Sequence, residues 1–185
     1  MKRQLHIFGD SYGAGQVLGD QKDLSGWPRH LCCPGVEIIN HAKCGAFMED
    51  IDDQIASAGS LGGSTVILSA SGNDVMRAAS DNIVNAAEAL EMSSRFVWLL
   101  GCISGAARRY VFTYPDPFDG TNKRVSCALA YLNALIVRMS AFCGASSLPL
   151  HEWLQGEHFD GQDIHPNTKG HCVIAAQISK RLMYD

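Results

Sequence analysis

The 185-residue chain, 46% hydrophobic and 18% charged with a net charge of −4, has the make-up of one ordinary globular domain spanning 1–185. Its 15 Lys and Arg form no cluster larger than adjacent pairs such as Lys2-Arg3 and Arg108-Arg109, which argues against nucleic acid as a partner. Unbroken apolar runs such as FVWLL at 96–100 are far below the ~20 residues that span a bilayer, and the start MKRQLHIFGDS is too short in apolar residues for a signal peptide.

The predicted elements, in chain order, alternate between strand and helix. A first strand, QLHIF (4–8), leads into a Gly-rich irregular stretch at 12–26 and a short helix at 27–33. A second strand, VEIIN (36–40), precedes a helix at 47–58, and a third, STVILS (64–69), precedes one at 75–91. RFVWLL (95–100) reads as the fourth strand, followed by an irregular stretch at 103–122. The clearest helix, 123–143, carries Val125, Ala128, Leu129, Leu132, Leu135, Ile136 and Met139 as one stripe. A weak strand, SSLPL (146–150), a third irregular stretch (151–166) and a last helix (168–183) complete the chain. Such alternation predicts βαβ units and a parallel sheet covered on both faces, an α/β class fold. Long irregular stretches in a small chain are suspects for function.

Seven cysteines (32, 33, 44, 102, 127, 143 and 172), odd in number and without C-x-x-C spacing, suggest a reduced, cytoplasmic protein whose thiols pack as small buried hydrophobes. No metal or cofactor is expected. His158, Asp160 and His165 could be grouped as ligands, but no recognised ligand spacing occurs.

The stretch FGDSYGAG (8–15) can be read in two ways. As G-x-S-x-G it suggests a nucleophile elbow, but Ser11 follows the first strand and no helical pattern follows it at once. As a Gly-Asp-Ser turn closing that strand, it puts Ser11 on the rim where open parallel sheets bind ligands. Gly45 follows the second strand, Asn73-Asp74 the third, and His165 lies near the end of the chain. Together these provide a hydroxyl, a backbone N–H, a side-chain amide and an imidazole, the set that acyl transfer needs.

In these blocks the chain resembles an SGNH hydrolase of the GDSL esterase/lipase superfamily over nearly its whole length. Gly9-Asp10-Ser11 matches the first block, Asn40 and Gly45 the second, Ser71-Gly72-Asn73-Asp74 the third, and His165-Pro166 the last. The resemblance implies a flavodoxin-like three-layer α/β/α sandwich around a parallel sheet of about five strands. It also implies hydrolysis of esters or thioesters, with Ser11 as nucleophile, His165 as base, and the N–H groups of Ser11 and Gly45 with the Asn73 amide as oxyanion hole. Two positions depart from the pattern. Ser71 stands where the third block has glycine, and Gln162 stands three residues before His165, where the acid belongs. Asp163 is the favoured acid; Asp160, the Gln162 amide or a main-chain carbonyl are the alternatives. Asp10 reads as a brace beneath Ser11. Tyr12, Phe112, Tyr114, Phe118, Trp153 and Phe159, in the irregular stretches, could line an acyl or sugar pocket or only plug the sheet's edges. With no lid insertion, the site is expected to be open and shallow. That suits a short acyl ester, such as O-acetyl on a glycan. A thioesterase or lysophospholipase, or a degenerate domain that binds carbohydrate or protein, are the rivals.

Overall fold

A computed structural model describes residues 3–17, 24–80, 86–118, 120–161 and 163–184. Strand β1 (Arg3–Gly9) has its last five residues all buried, which requires cover on both faces of the sheet. It lies between β2 (Val36–Asn40) and β3 (Thr65–Ser69); β4 (Arg108–Phe112) and β5 (Ser146–Leu148) extend the sheet in the order β2-β1-β3-β4-β5, all parallel. The registers Ile7↔Asn40 and Gly9↔Ser69 bring the ends of the first three strands level. Because β1 pairs with the second strand on one side and the third on the other, a crevice opens at its carboxyl end, where such sheets take ligands.

Helices α2 (Met48–Ser57), α3 (Gly72–Ser80), α4 (Ala86–Cys102) and α5 (Lys123–Phe142) pack in one group. The second group is α6 (Leu150–Trp153), α7 (Thr168–Tyr184) and the 3-10 turns Trp27–His30 and Gly156–His158. The predicted stripe of α5 is buried at Val125, Leu129, Leu132 and Ile136. By length and composition alone α5 could cross a membrane, with a mean hydropathy of 1.5.

Two expectations need correction. RFVWLL is not a strand; it is the end of α4, and the fourth strand is Arg108–Phe112, inside the stretch read as irregular. Phe96, Leu99, Leu100 and Ile103 are fully buried whereas Trp98 is 61% exposed, which is helical spacing. The cysteines, too, are not buried: Cys32, Cys127 and Cys172 are exposed and the other four half-buried. Cys127 and Cys172 sit among apolar neighbours in sequence but on the outward faces of α5 and α7. The predicted helix at 75–91 falls on α3 and the start of α4, and its residues 81–85 lie outside the described residues.

Candidate active site

Ser11 opens a single turn, α1 (Ser11–Ala14), directly after β1. Asp10 caps this turn by accepting from the Tyr12 N–H at 3.0 Å, and it also accepts from the Ser69 hydroxyl at 2.5 Å and the Tyr114 hydroxyl at 2.6 Å. Burial pushes the Asp10 carboxyl above its ordinary range, opposed by those three donors. Asp10 is thus a buried brace under the serine, with every partner on a different segment. Gly9, just before it, lies so close to β3 that a Cβ there would stand 2.0 Å from the Ser69 carbonyl.

His165 meets Ser11 across the crevice, its Nε2 2.9 Å from Oγ. Its Nδ1 lies 2.9 Å from Oδ1 of Asp163. A carboxylate can only accept, so Nδ1 carries the proton and Nε2 presents a lone pair to the serine hydroxyl. The Gln16 amide, 3.5 Å from Nδ1, is too distant to compete. The same Asp163 oxygen accepts the His165 backbone N–H at 2.8 Å. This is an Asx turn, in which an aspartate reaches the main chain two residues on. It explains how an acid two residues before the histidine, not three, comes to the imidazole. Asp160 faces elsewhere, accepting from Asn167 Nδ2 at 2.9 Å, and Gln162 lies outside the described residues. His158 is likewise occupied, accepting the Gln155 N–H at 2.8 Å, so the three suggested ligands do not converge. Among the described residues no three His, Cys, Asp or Glu side chains are grouped as a metal ion needs.

The His165 loop is fixed to the serine turn. Tyr12 donates its hydroxyl to the Ile164 carbonyl at 2.5 Å, and burial holds that phenol far from ionisation. Trp27 donates Nε1–H to the Tyr12 carbonyl at 2.7 Å, and its own N–H goes to His171 Nδ1 at 3.2 Å. His171, fully buried on α7, returns to the Gln16 carbonyl through Nε2 at 2.8 Å.

Asn73 shares a small cavity with Ser11. One N–H of its amide donates to the Ala46 carbonyl at 2.9 Å, which fixes its rotation and leaves the second N–H for a ligand. Ala46 follows Gly45, whose φ of +77° suits glycine, so Asn73 and the Gly45 loop are held as one unit. No described residue accepts from the backbone N–H of Ser11 or of Gly45. Asn40 ties the second strand to the turn, donating to the Gly13 and Ala14 carbonyls at 3.4 and 3.3 Å. Asp74 accepts the Met48 N–H at 3.2 Å and so links α3 to the start of α2. Ser71 has φ +85°, a left-handed value that a serine adopts only under strain. The glycine expected in the third block is therefore a matter of backbone conformation, which Ser71 meets at a cost.

From this geometry the chain's similarity to known proteins follows. The sequence matches the GDSL-like Lipase/Acylhydrolase family over residues 7–173. The chain belongs to this family. As a GDSL-like acylhydrolase it is a carboxylic ester hydrolase. No curated protein sequence matches it. Among solved structures, a lipolytic G-D-S-L family protein from Veillonella parvula superposes with a TM-score of 0.77 at 13% identity, covering 99% of this chain and 100% of its own. Axe2, an acetylxylan esterase from Geobacillus stearothermophilus, gives 0.74 at 14% identity, covering 100% and 98%. A phospholipase A1 from Streptomyces albidoflavus gives 0.68 at 18% identity, covering 97% and 100%. At these identities the superpositions show a shared fold.

Several residues of the GDSL-like site carry no sequence motif. Met76, Pro115, Pro117, Leu129 and Ile164 line the Ser11 cavity together with Tyr12 and Tyr114. Only the two tyrosines had a sequence signal, as aromatics in irregular stretches. Phe112 instead belongs to β4, and Phe159 is buried in the core. Ser11 is only 6% exposed, and Tyr114, Pro115 and Pro117 line its cavity together with Ile164.

Proposed function

We propose that the chain is a serine esterase that removes short acyl groups, acetyl foremost, from hydroxyls of a glycan or small alcohol. The observation that carries this reading is the line from Asp163 through His165 to Ser11, with both links at 2.9 Å. Ser11 Oγ attacks the ester carbonyl while His165 Nε2 takes its proton. The oxyanion that forms is met by the N–H groups of Ser11 and Gly45 and by the second N–H of Asn73. The tetrahedral intermediate collapses, the bond to the alcohol oxygen breaks, and that oxygen takes the proton from Nε2. Water then adds to the acyl-serine, again giving a proton to His165, and the acid leaves as Ser11 regains its hydrogen.

The size of the cavity supports a short acyl group. It holds about 30 Å³, room for roughly two water-sized groups, which an acetyl carbonyl and methyl would fill. The fold shared with an acetylxylan esterase is consistent with a sugar as the alcohol.

Hydrolysis of nitrophenyl esters from acetate to palmitate, with fluorophosphonate labelling of the serine, tests the reading. Wild-type protein should turn over acetate or butyrate faster than octanoate, and Ser11→Ala should lose both turnover and labelling. Faster release from palmitate would move the substrate to a lipid. Labelling that survives Ser11→Ala would place the nucleophile elsewhere.

A further inference from the structure

Beside the Ser11 cavity lies a much larger groove of about 740 Å³ that the proposed chemistry does not use. It follows one face of α5 past Ala130, Ala134, Val137 and Arg138, at helical spacing. Two residues line both spaces: Tyr114 and Leu129. Both are buried, at 3% and 4% exposure, so their side chains fill the region between the cavity and the groove.

We propose that Leu129 and Tyr114 are the partition that sets acyl length, closing the serine cavity off from an apolar groove that would otherwise take a long chain. This deepens the esterase reading and rests on Ser11 being the nucleophile. The two halves of the partition are held differently. Tyr114 is fixed at every polar atom. Asn133 accepts its N–H and donates to its carbonyl, both at 2.7 Å; its hydroxyl donates to Asp10 at 2.6 Å and lies 3.1 Å from Ser69 Oγ. Its ring meets the Tyr12 ring edge-on at 5.4 Å. Leu129 has only packing to hold it. Leucine is also the half that can be cut back without disturbing the brace under Ser11. Between Leu129 and Val137 the helix advances by roughly 12 Å, so an alkyl chain that passed the partition would meet an apolar wall of Ala130, Ala134 and Val137.

The test compares kcat/KM for acetyl and octanoyl nitrophenyl esters in wild type, Leu129→Ala, Leu129→Val and Leu129→Met. A pocket that gains or loses single carbons discriminates by roughly 10- to 200-fold, so Leu129→Ala should raise the octanoyl-to-acetyl ratio by at least about tenfold. Leu129→Met, which conserves volume, should leave the ratio nearly unchanged. If Leu129→Ala does not fold, Leu129→Val should still raise the butyryl-to-acetyl ratio. An unchanged ratio in a folded Ala or Val variant overturns the partition, as does a wild type that already prefers octanoate. Labelling by a small fluorophosphonate separates this from failure of the esterase reading. A wild type that labels at Ser11 but shows no shift on substitution loses the partition alone; one that labels nowhere loses the nucleophile and the partition with it.

Discussion

Asp163 reaches the imidazole with a single oxygen, which also accepts the main-chain N–H of His165. That double duty separates two things an acid can do for a histidine: fix its tautomer and supply charge to the imidazolium. In Asp163→Asn the backbone N–H still selects the amide oxygen, so Nδ1 keeps its proton and only the charge is lost. Asp163→Ala loses both. The alanine variant should therefore drop kcat by roughly 10⁴-fold, the loss typical of a missing triad acid, and the asparagine variant by clearly less. Equal losses in the two variants would show that charge alone matters; a loss under about tenfold for alanine would remove Asp163 from the proposed relay. Ser71 is the other residue whose meaning is local. Its hydroxyl donates to Met48 Sδ at 3.2 Å, but its φ, not its side chain, is what the position demands.

At the scale of elements, the loop that carries Gly45 is secured to β1 by backbone and by rings. His41 and Lys43 donate their N–H groups to the Ile7 and Gly9 carbonyls at 2.8 and 2.9 Å. The His41 ring stacks on Phe8 at 4.7 Å and on His6 at 5.3 Å, with His6 Nδ1 and His41 Nε2 3.1 Å apart. One proton joins the two rings. His6 Nε2 is buried with no partner among the described residues, so placing that proton on His6 Nδ1 leaves a buried lone pair, which is cheaper than a buried N–H. Burial lowers both pKa values below 6.5; Glu37 partly offsets this for His6, and His6 adds to it for His41. Below that pH the unfolded chain takes up protons the folded chain resists. The stability these groups contribute is thus present above about 6.5 and is lost as pH falls through their folded values. Asp10 and Asp74, raised by burial, act in the opposite sense. Melting temperature should therefore fall between about pH 7.5 and 5.5, and His41→Phe should flatten that slope; a slope unchanged by the substitution would clear the pair of any part in it. The elements themselves were unevenly legible. Strands β1, β2 and β3 and their following residues stood out because apolar runs ended in Gly, Asn or Asp. The fourth strand did not: RRYVF opens with two arginines after a Gly/Ser/Ala stretch, whereas RFVWLL is apolar enough for either state. Periodicity cannot divide so short a run, and the deciding signal was the wider spacing of Phe96, Leu99, Leu100 and Ile103. Leu129 was legible as core and not as cavity wall, because a sequence shows that a residue is inside without showing what lies on its two sides.

For the whole molecule, the proposed site is the meeting of the first and last parts of the described chain. Ser11 and His165 are separated by 154 positions, and the bonds that hold them in place, Tyr12 to Ile164 and Trp27 to His171, span nearly as many. Closing so long a loop costs on the order of 4–5 kcal/mol in chain entropy, recovered only when the sheet between them is in place. On refolding from denaturant, fluorophosphonate reactivity should return no earlier than the slowest phase of tryptophan fluorescence, since Trp27 is fully buried in that same junction. Reactivity that ran ahead of fluorescence would mean the serine is activated without its distant histidine. The arrangement also bears on birth at the ribosome. The serine is made 154 positions before the histidine, so in the proposed mechanism it has no base until position 165 has emerged and α7 has docked. On the proposed mechanism a chain cut short before His165 carries an inert hydroxyl, and its reactivity toward a serine-directed probe can serve as a reading of whether His165 and α7 have been made and have folded onto the first strand.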